Sequence, residues 1–183
     1  FLAQRGLNLH PIIAPLLKES YYGRISQEDY FRARLKESGL NDATALEEGI
    51  AIMVRAQSDI ELFDGVPATL HALKAAKLKL GVVTNTNDPT AQKMQWFARH
   101  GIEALWDGFA TSCEINTVKP EAAIYLAALA PMGLTAQDAV FVGHSGSELA
   151  GAKALGIRTI SFNADSDEVR GDQHATNFAD LLQ

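Results

Sequence analysis

Apolar residues recur at intervals of three and four in the opening part of the chain and gather into short blocks after Phe63. Leu46, Ile50, Met53 and Val54 form one such stripe within Ala45–Ile60, and Tyr30, Arg34 and Leu35 follow helical spacing as well. Gly39 is a helix stop, and Asn41-Asp42 the start of the next helix. Pro11 and Pro15 interrupt the first segment. Residues 1–62 therefore predict an all-helical unit with no strand.

From Phe63 onward the texture alternates. A helix is predicted from Gly65-Val66-Pro67 to Lys77, with Leu70 and Leu73 on one side. The apolar blocks Leu78–Thr84, Gly108–Cys113, Ala139–Gly143 and Ile157–Phe162 read as strands. Between them lie helices opening at Asp88-Pro89, running over Glu121–Leu129, and running from Ser147 to Leu155 before Gly156. Asp88 is expected to cap its helix through its side chain, with Pro89 at the first helical position. Short strands alternating with helices predict an α/β fold, a parallel sheet covered by helices on both faces. The predicted organisation is a helical unit over 1–62 attached to an α/β core over 63–183.

Composition narrows the class of protein. Hydrophobic residues make up 47% of the 183 positions and charged residues 21%, as in an ordinary globular domain. Sixteen basic residues against 22 acidic give a net charge of −6, which argues against nucleic acid or an anionic membrane as partner. The single cysteine, Cys113, has no internal partner, and the chain is expected to be cytoplasmic. No apolar run reaches the ~20 residues needed to span a bilayer, and no signal peptide is visible.

Chemistry in such a fold is expected where strands end. Thr84-Asn85-Thr86-Asn87 follows the first strand and offers hydroxyl and amide donors for an anionic oxygen, or else a polar turn. Lys119-Pro120 at a helix start reads either as a phosphate or carboxylate site or as a surface lysine. Gly143-His144-Ser145-Gly146-Ser147 lies close to the G-x-S-x-G nucleophile elbow, and Ser145, Asp165 and His174 follow in the order nucleophile, acid, base. Only one clear strand follows Ser145, too little chain for that architecture, and Ser147 replaces the final glycine.

Taken together, Leu80-Gly-Val-Val-Thr84-Asn85, Val118-Lys119-Pro120-Glu-Ala-Ala-Ile-Tyr125 and Phe141-Val-Gly-His144-Ser-Gly-Ser-Glu148-Leu-Ala-Gly-Ala-Lys-Ala-Leu-Gly156 resemble motifs two, three and four of the haloacid dehalogenase superfamily. Leu62-Phe63-Asp64-Gly65-Val66 is similar to that family's return from a helical cap into the core. The resemblance implies a Rossmann-like parallel sheet with an all-helical cap domain, and a hydrolase acting on a small phosphorylated metabolite. It implies an aspartyl-phosphate formed on a motif-one Asp, which is expected upstream of residue 1 on a strand between those ending at Thr84 and Gly143. Thr84 would hold a phosphoryl oxygen, Asn85 would support the turn, and Lys119 would neutralise the transferring group. Mg2+ would be held by Glu148 and His144, which stand where the family usually has Asp. Two alternatives share the motifs: a metal-independent 2-haloacid dehalogenase, which Lys119 and Tyr125 also fit, and a non-hydrolytic domain that binds a ligand or partner.

Overall fold

The computed structural model describes residues 1–183. Helices α1 (Ala14–Tyr21), α2 (Gln27–Glu37) and α3 (Ala43–Gln57) bury a core of their own, with Leu35 fully enclosed among Tyr30, Phe31, Leu46 and Ile50. Ser26 and Asp42 open α2 and α3, their side chains accepting the N–H groups of Asp29 and Ala45. Gly39, at φ 91°, then turns the chain out of α2 in the left-handed region.

The remaining elements alternate: α4 (Val66–Ala75), β1 (Gly81–Thr84), α5 (Thr90–Arg99), β2 (Gly108–Thr111), α6 (Ser112–Ile115), α7 (Ala122–Leu129), β3 (Val140–Gly143), α8 (Gly146–Ala154), β4 (Arg158–Phe162) and β5 (Gln173–Ala175). All pairings are parallel, as expected for strands joined by helical crossovers. The strands form two sheets rather than one, β1–β2 and β3–β4–β5. Thr84 stands opposite Thr111 in the first and Gly143 opposite Ser161 in the second. Helix α7 joins them, its Ile124, Tyr125 and Ala128 sharing one core with Ala110 of β2 and Ala152 of α8. A further core gathers Val66 and Leu70 of α4 with Ile102 and Leu105.

Several boundaries differ from the pattern-based reading. β1 begins only at Gly81, because the Leu80 N–H donates to the Asp107 carboxylate at 2.8 Å. The block opening at Gly108 turns into α6 at Ser112, whose hydroxyl accepts the Thr86 N–H at 2.9 Å. Asp88 does not cap α5. That helix starts at Thr90 without a side-chain cap, and the Asp88 carboxylate is engaged elsewhere. No helix is long and apolar enough to cross a membrane.

Strand β5 carries no apolar block and was not predicted; Asp172, just before it, secures its neighbour. The Asp172 carboxylate accepts from Lys153, from the Thr159 hydroxyl at 2.8 Å and from the Thr159 N–H at 2.9 Å. These donors, Lys153 foremost, hold its pKa at about 2, below the usual 3.8. A depressed carboxylate contributes stability that is complete above its unfolded value and lost as pH falls through the folded one. Asp172→Asn is therefore expected to flatten the loss of stability between about pH 4 and pH 2, read by urea midpoints across that window. An unchanged acid limb would contradict this.

Candidate active site

The strand ends carry the polar groups. Thr84 closes β1, and Asn85, the next residue, clasps the backbone of Lys119 from both sides. The Lys119 N–H donates to Asn85 Oδ1 at 2.8 Å, and Asn85 Nδ2 donates to the Lys119 carbonyl at 3.3 Å. One amide side chain thus does the work of a ladder rung between segments 34 positions apart. Lys119 Nζ in turn lies 2.9 Å from Glu148 Oε2 in the first turn of α8, with the two side chains only 11% and 13% exposed. That oxygen is buried and accepts no aligned hydrogen bond, so the contact is one of charge.

The floor beneath the pair is aromatic. Lys119 Nζ stands 5.9 Å from the Phe141 ring centroid, and Tyr125 meets the same ring edge-on at 5.3 Å. The Tyr125 hydroxyl donates to the Glu148 carbonyl at 2.7 Å. Burial, then the nearby Glu148 charge, pushes the Tyr125 pKa up to about 12, keeping it a neutral donor. Segments 84–85, 119–125 and 141–148 therefore meet at the carboxyl ends of β1 and β3, where a parallel sheet places its chemistry.

His144 belongs to a different pair. Its Nδ1 lies 2.7 Å from Asp165 Oδ1, and the Asp165 N–H donates to the His144 carbonyl at 3.0 Å. The grouping Ser145, Asp165, His174 is not assembled: Asp165 serves His144, His174 sits 3.1 Å from the Ser161 hydroxyl, and Ser145 meets Ser147 at 3.2 Å. Thr86 and Asn87 face Ser112 and Gln57, a polar turn rather than part of the strand-end cluster.

The model of the haloacid dehalogenase-like hydrolase family matches residues 17–162. The chain belongs to that family. A glyceraldehyde 3-phosphate phosphatase of Methanothermobacter thermautotrophicus is 31% identical over 120 residues, 65% of this chain and 52% of that protein. A phosphoglycolate phosphatase of Yersinia pestis is 29% identical over 128 residues, covering 67% of this chain and 54% of its own. Among solved structures, a 2-haloacid dehalogenase of Pseudomonas syringae pv. Tomato DC3000 aligns with a TM-score of 0.69 at 27% identity, over 93% of this chain and 76% of that one. The chain spans about half the length of the curated relatives it matches.

Within this member of the haloacid dehalogenase-like hydrolase family, Asn85, Lys119 and Glu148 form one chain of contacts, with Thr84 next to Asn85 in sequence, whereas His144 is tied to Asp165. The oxygen donors gathered within residues 1–183 do not by themselves complete a magnesium site, which asks for several oxygen ligands in near-octahedral order. Glu148 Oε2 is an orphaned carboxylate oxygen, and an ammonium group already lies 2.9 Å from it. No group of three or more His, Cys, Asp or Glu side chains is gathered to hold an ion. His144→Asp replaces a borderline nitrogen by hard oxygens. It is expected to tighten magnesium binding about tenfold or more in isothermal titration, since ligand charge sets affinity for hard cations. Equal affinity in the two chains would contradict this account of the site.

Proposed function

We propose that this domain is the motif-two to motif-four part of a phosphoric monoester hydrolase acting on a small phosphorylated metabolite. The observation that carries the reading is the Asn85–Lys119–Glu148 chain at the strand ends, with Thr84 beside it. An Asp carboxylate on a strand upstream of residue 1 attacks phosphorus. The O–P bond to Asp forms as the ester bond breaks, and water then cleaves the aspartyl-phosphate. The Thr84 hydroxyl donates to a phosphoryl oxygen, and the Lys119 ammonium offsets the charge that builds there. Residues 1–62 serve as the cap that closes over the strand ends and selects the substrate.

Two further observations support this reading. Val82, Val83, Phe141 and Val142 are strand residues of β1 and β3 that stay only half-buried, as expected if another strand lies against both. The phosphatases named above act on three-carbon and two-carbon phosphates, so glyceraldehyde 3-phosphate and phosphoglycolate are the first substrates to try. The full natural chain is expected to release phosphate from one of them and to lose that activity on substitution of the upstream Asp.

A specific observation favours a second reading. The Lys119–Glu148 pair leaves little room for a cation, and the Pseudomonas syringae relative is a 2-haloacid dehalogenase. Halide release from 2-chloropropionate in EDTA, with no phosphate release, would overturn the phosphatase proposal in its favour.

A further inference from the structure

A densely bonded carboxylate lies outside the strand-end cluster. Asp88 is 2% exposed, in the loop between Thr84 and α5. Its Oδ1 accepts from Gln27 Nε2, at the start of α2. Its Oδ2 accepts from Gln57 Nε2, at the end of α3, at 2.8 Å and from the Thr86 hydroxyl at 2.9 Å. Lys93 Nζ of α5 stands 3.6 Å from the same oxygen. Burial lowers the Lys93 pKa, and Asp88 opposes that shift. Next to it, Asn87 accepts from Gln57 at 3.0 Å and donates to Ser20 of α1 at 3.4 Å. All three helices of the 1–62 unit thus end a hydrogen bond on two adjacent residues of one loop.

That loop leads straight to the strand-end cluster. Ser112 pins Thr86 through both its N–H and its carbonyl, and Asn85, one residue earlier, holds Lys119. We propose that Asp88 is a positioning residue that seats the helical cap on the core and, through the Thr86–Asn85 turn, sets the place of Lys119. A buried carboxylate is a costly way to fill space. Its value here is directional, because an acceptor-only group facing donors from two cap helices fixes the angle at which they dock. The catalytic importance of Lys119 rests on the phosphatase reading; its link to Asp88 does not.

Polarity reversal tests the link. Asp88→Asn points an N–H donor at Gln27 or at Gln57 and Thr86. Amide exchange in the first turn of α2, the last turn of α3 and residues 84–90 is expected to quicken about tenfold or more, the usual scale for losing bonds to a charged group. Acetylation of Lys119 by acetic anhydride, read by peptide mass, is expected to rise several-fold. Adding Gln27→Glu lets the new amide donate to the new carboxylate, and both readouts are expected to return towards those of the parent chain. Unchanged exchange, faster exchange with Lys119 labelling unmoved, or no rescue in the double variant would each overturn the proposal. If Asp88→Asn unfolds the whole chain, Gln27→Met decides, since it keeps the Asp88 bonds to Gln57 and Thr86. Faster exchange confined to α2 and residues 84–90 upholds the proposal, and unaltered exchange overturns it. None of these measurements uses phosphate or turnover, so they hold whether or not the phosphatase reading does.

Discussion

Lys119→Met is expected to lower the free energy of unfolding by about 3–5 kcal/mol, the usual cost of stranding one member of a buried ion pair. Its partner Glu148 is 13% exposed, and the oxygen facing Lys119 has no hydrogen bond to fall back on. The loss comes mainly from leaving that carboxylate unpaired. Adding Glu148→Gln to Lys119→Met should therefore recover much of the stability, although two polar groups have then been removed. Chemical denaturation of the parent, the single and the double variants reads the difference. A double variant no more stable than Lys119→Met would show that the pair is not the source. Activity should follow a different pattern. In the full natural chain both variants are expected to lose turnover about 100- to 1,000-fold, the scale of removing one charge-stabilising group. Stability restored without activity would separate the structural task of Lys119 from its chemical one.

Gly151→Ala is the second large expected effect. Gly151 lies three residues after Glu148, on the same face of α8, and packs on the residue that follows Lys119. A Cβ there would stand 2.6 Å from Pro120 Cβ and 2.7 Å from the Pro120 carbonyl oxygen. Alanine inside a helix ordinarily gains about 1 kcal/mol over glycine. Here the obstacle is backbone, which cannot swing aside, and overpacking of this kind costs about 1–3 kcal/mol or more. With the propensity gain subtracted, a net loss of up to about 2 kcal/mol is expected. Because the clash pushes α8 away from the Lys119 turn, turnover of the full chain should fall along with stability. A stabilised Gly151→Ala chain would mean that propensity wins and that α8 does not press on Pro120.

Much of this was legible in the chain itself. Asp42 could be read as a helix start because the N–H it satisfies, on Ala45, lies three residues away. Thr84 and Asn85 could be found because the apolar block before them stops there, and Lys119 because it stands beside Pro120 at a helix start. Glu148 could be reached only through the resemblance to the haloacid dehalogenase motifs. What escaped reading depends on contacts between distant segments. Asp88 looked like a local cap, yet its donors Gln27 and Gln57 lie 61 and 31 positions away. Asp165 looked like the acid of a serine triad, but it pairs with His144, 21 positions earlier. β5 has no apolar block, because Gln173 and His174 are exposed and only Ala175 is buried. Gly151 gave no signal either, since a glycine inside a helix shows its purpose only once its neighbour is known.

The division into two sheets has a consequence for how the domain melts. Hydrogen-bonded ladders usually make a sheet yield as one body, but here no ladder joins β1–β2 to β3–β4–β5. Cooperativity between the halves passes instead through side chains of α7, chiefly Ile124, Tyr125 and Ala128, which touch both. Residues 1–183 taken alone should behave as two coupled melting units whose coupling is set by packing, and the strand proposed to lie between β1 and β3 should merge them into one. In calorimetry, trimming Ile124 to Ala would then broaden or split the transition instead of shifting it intact.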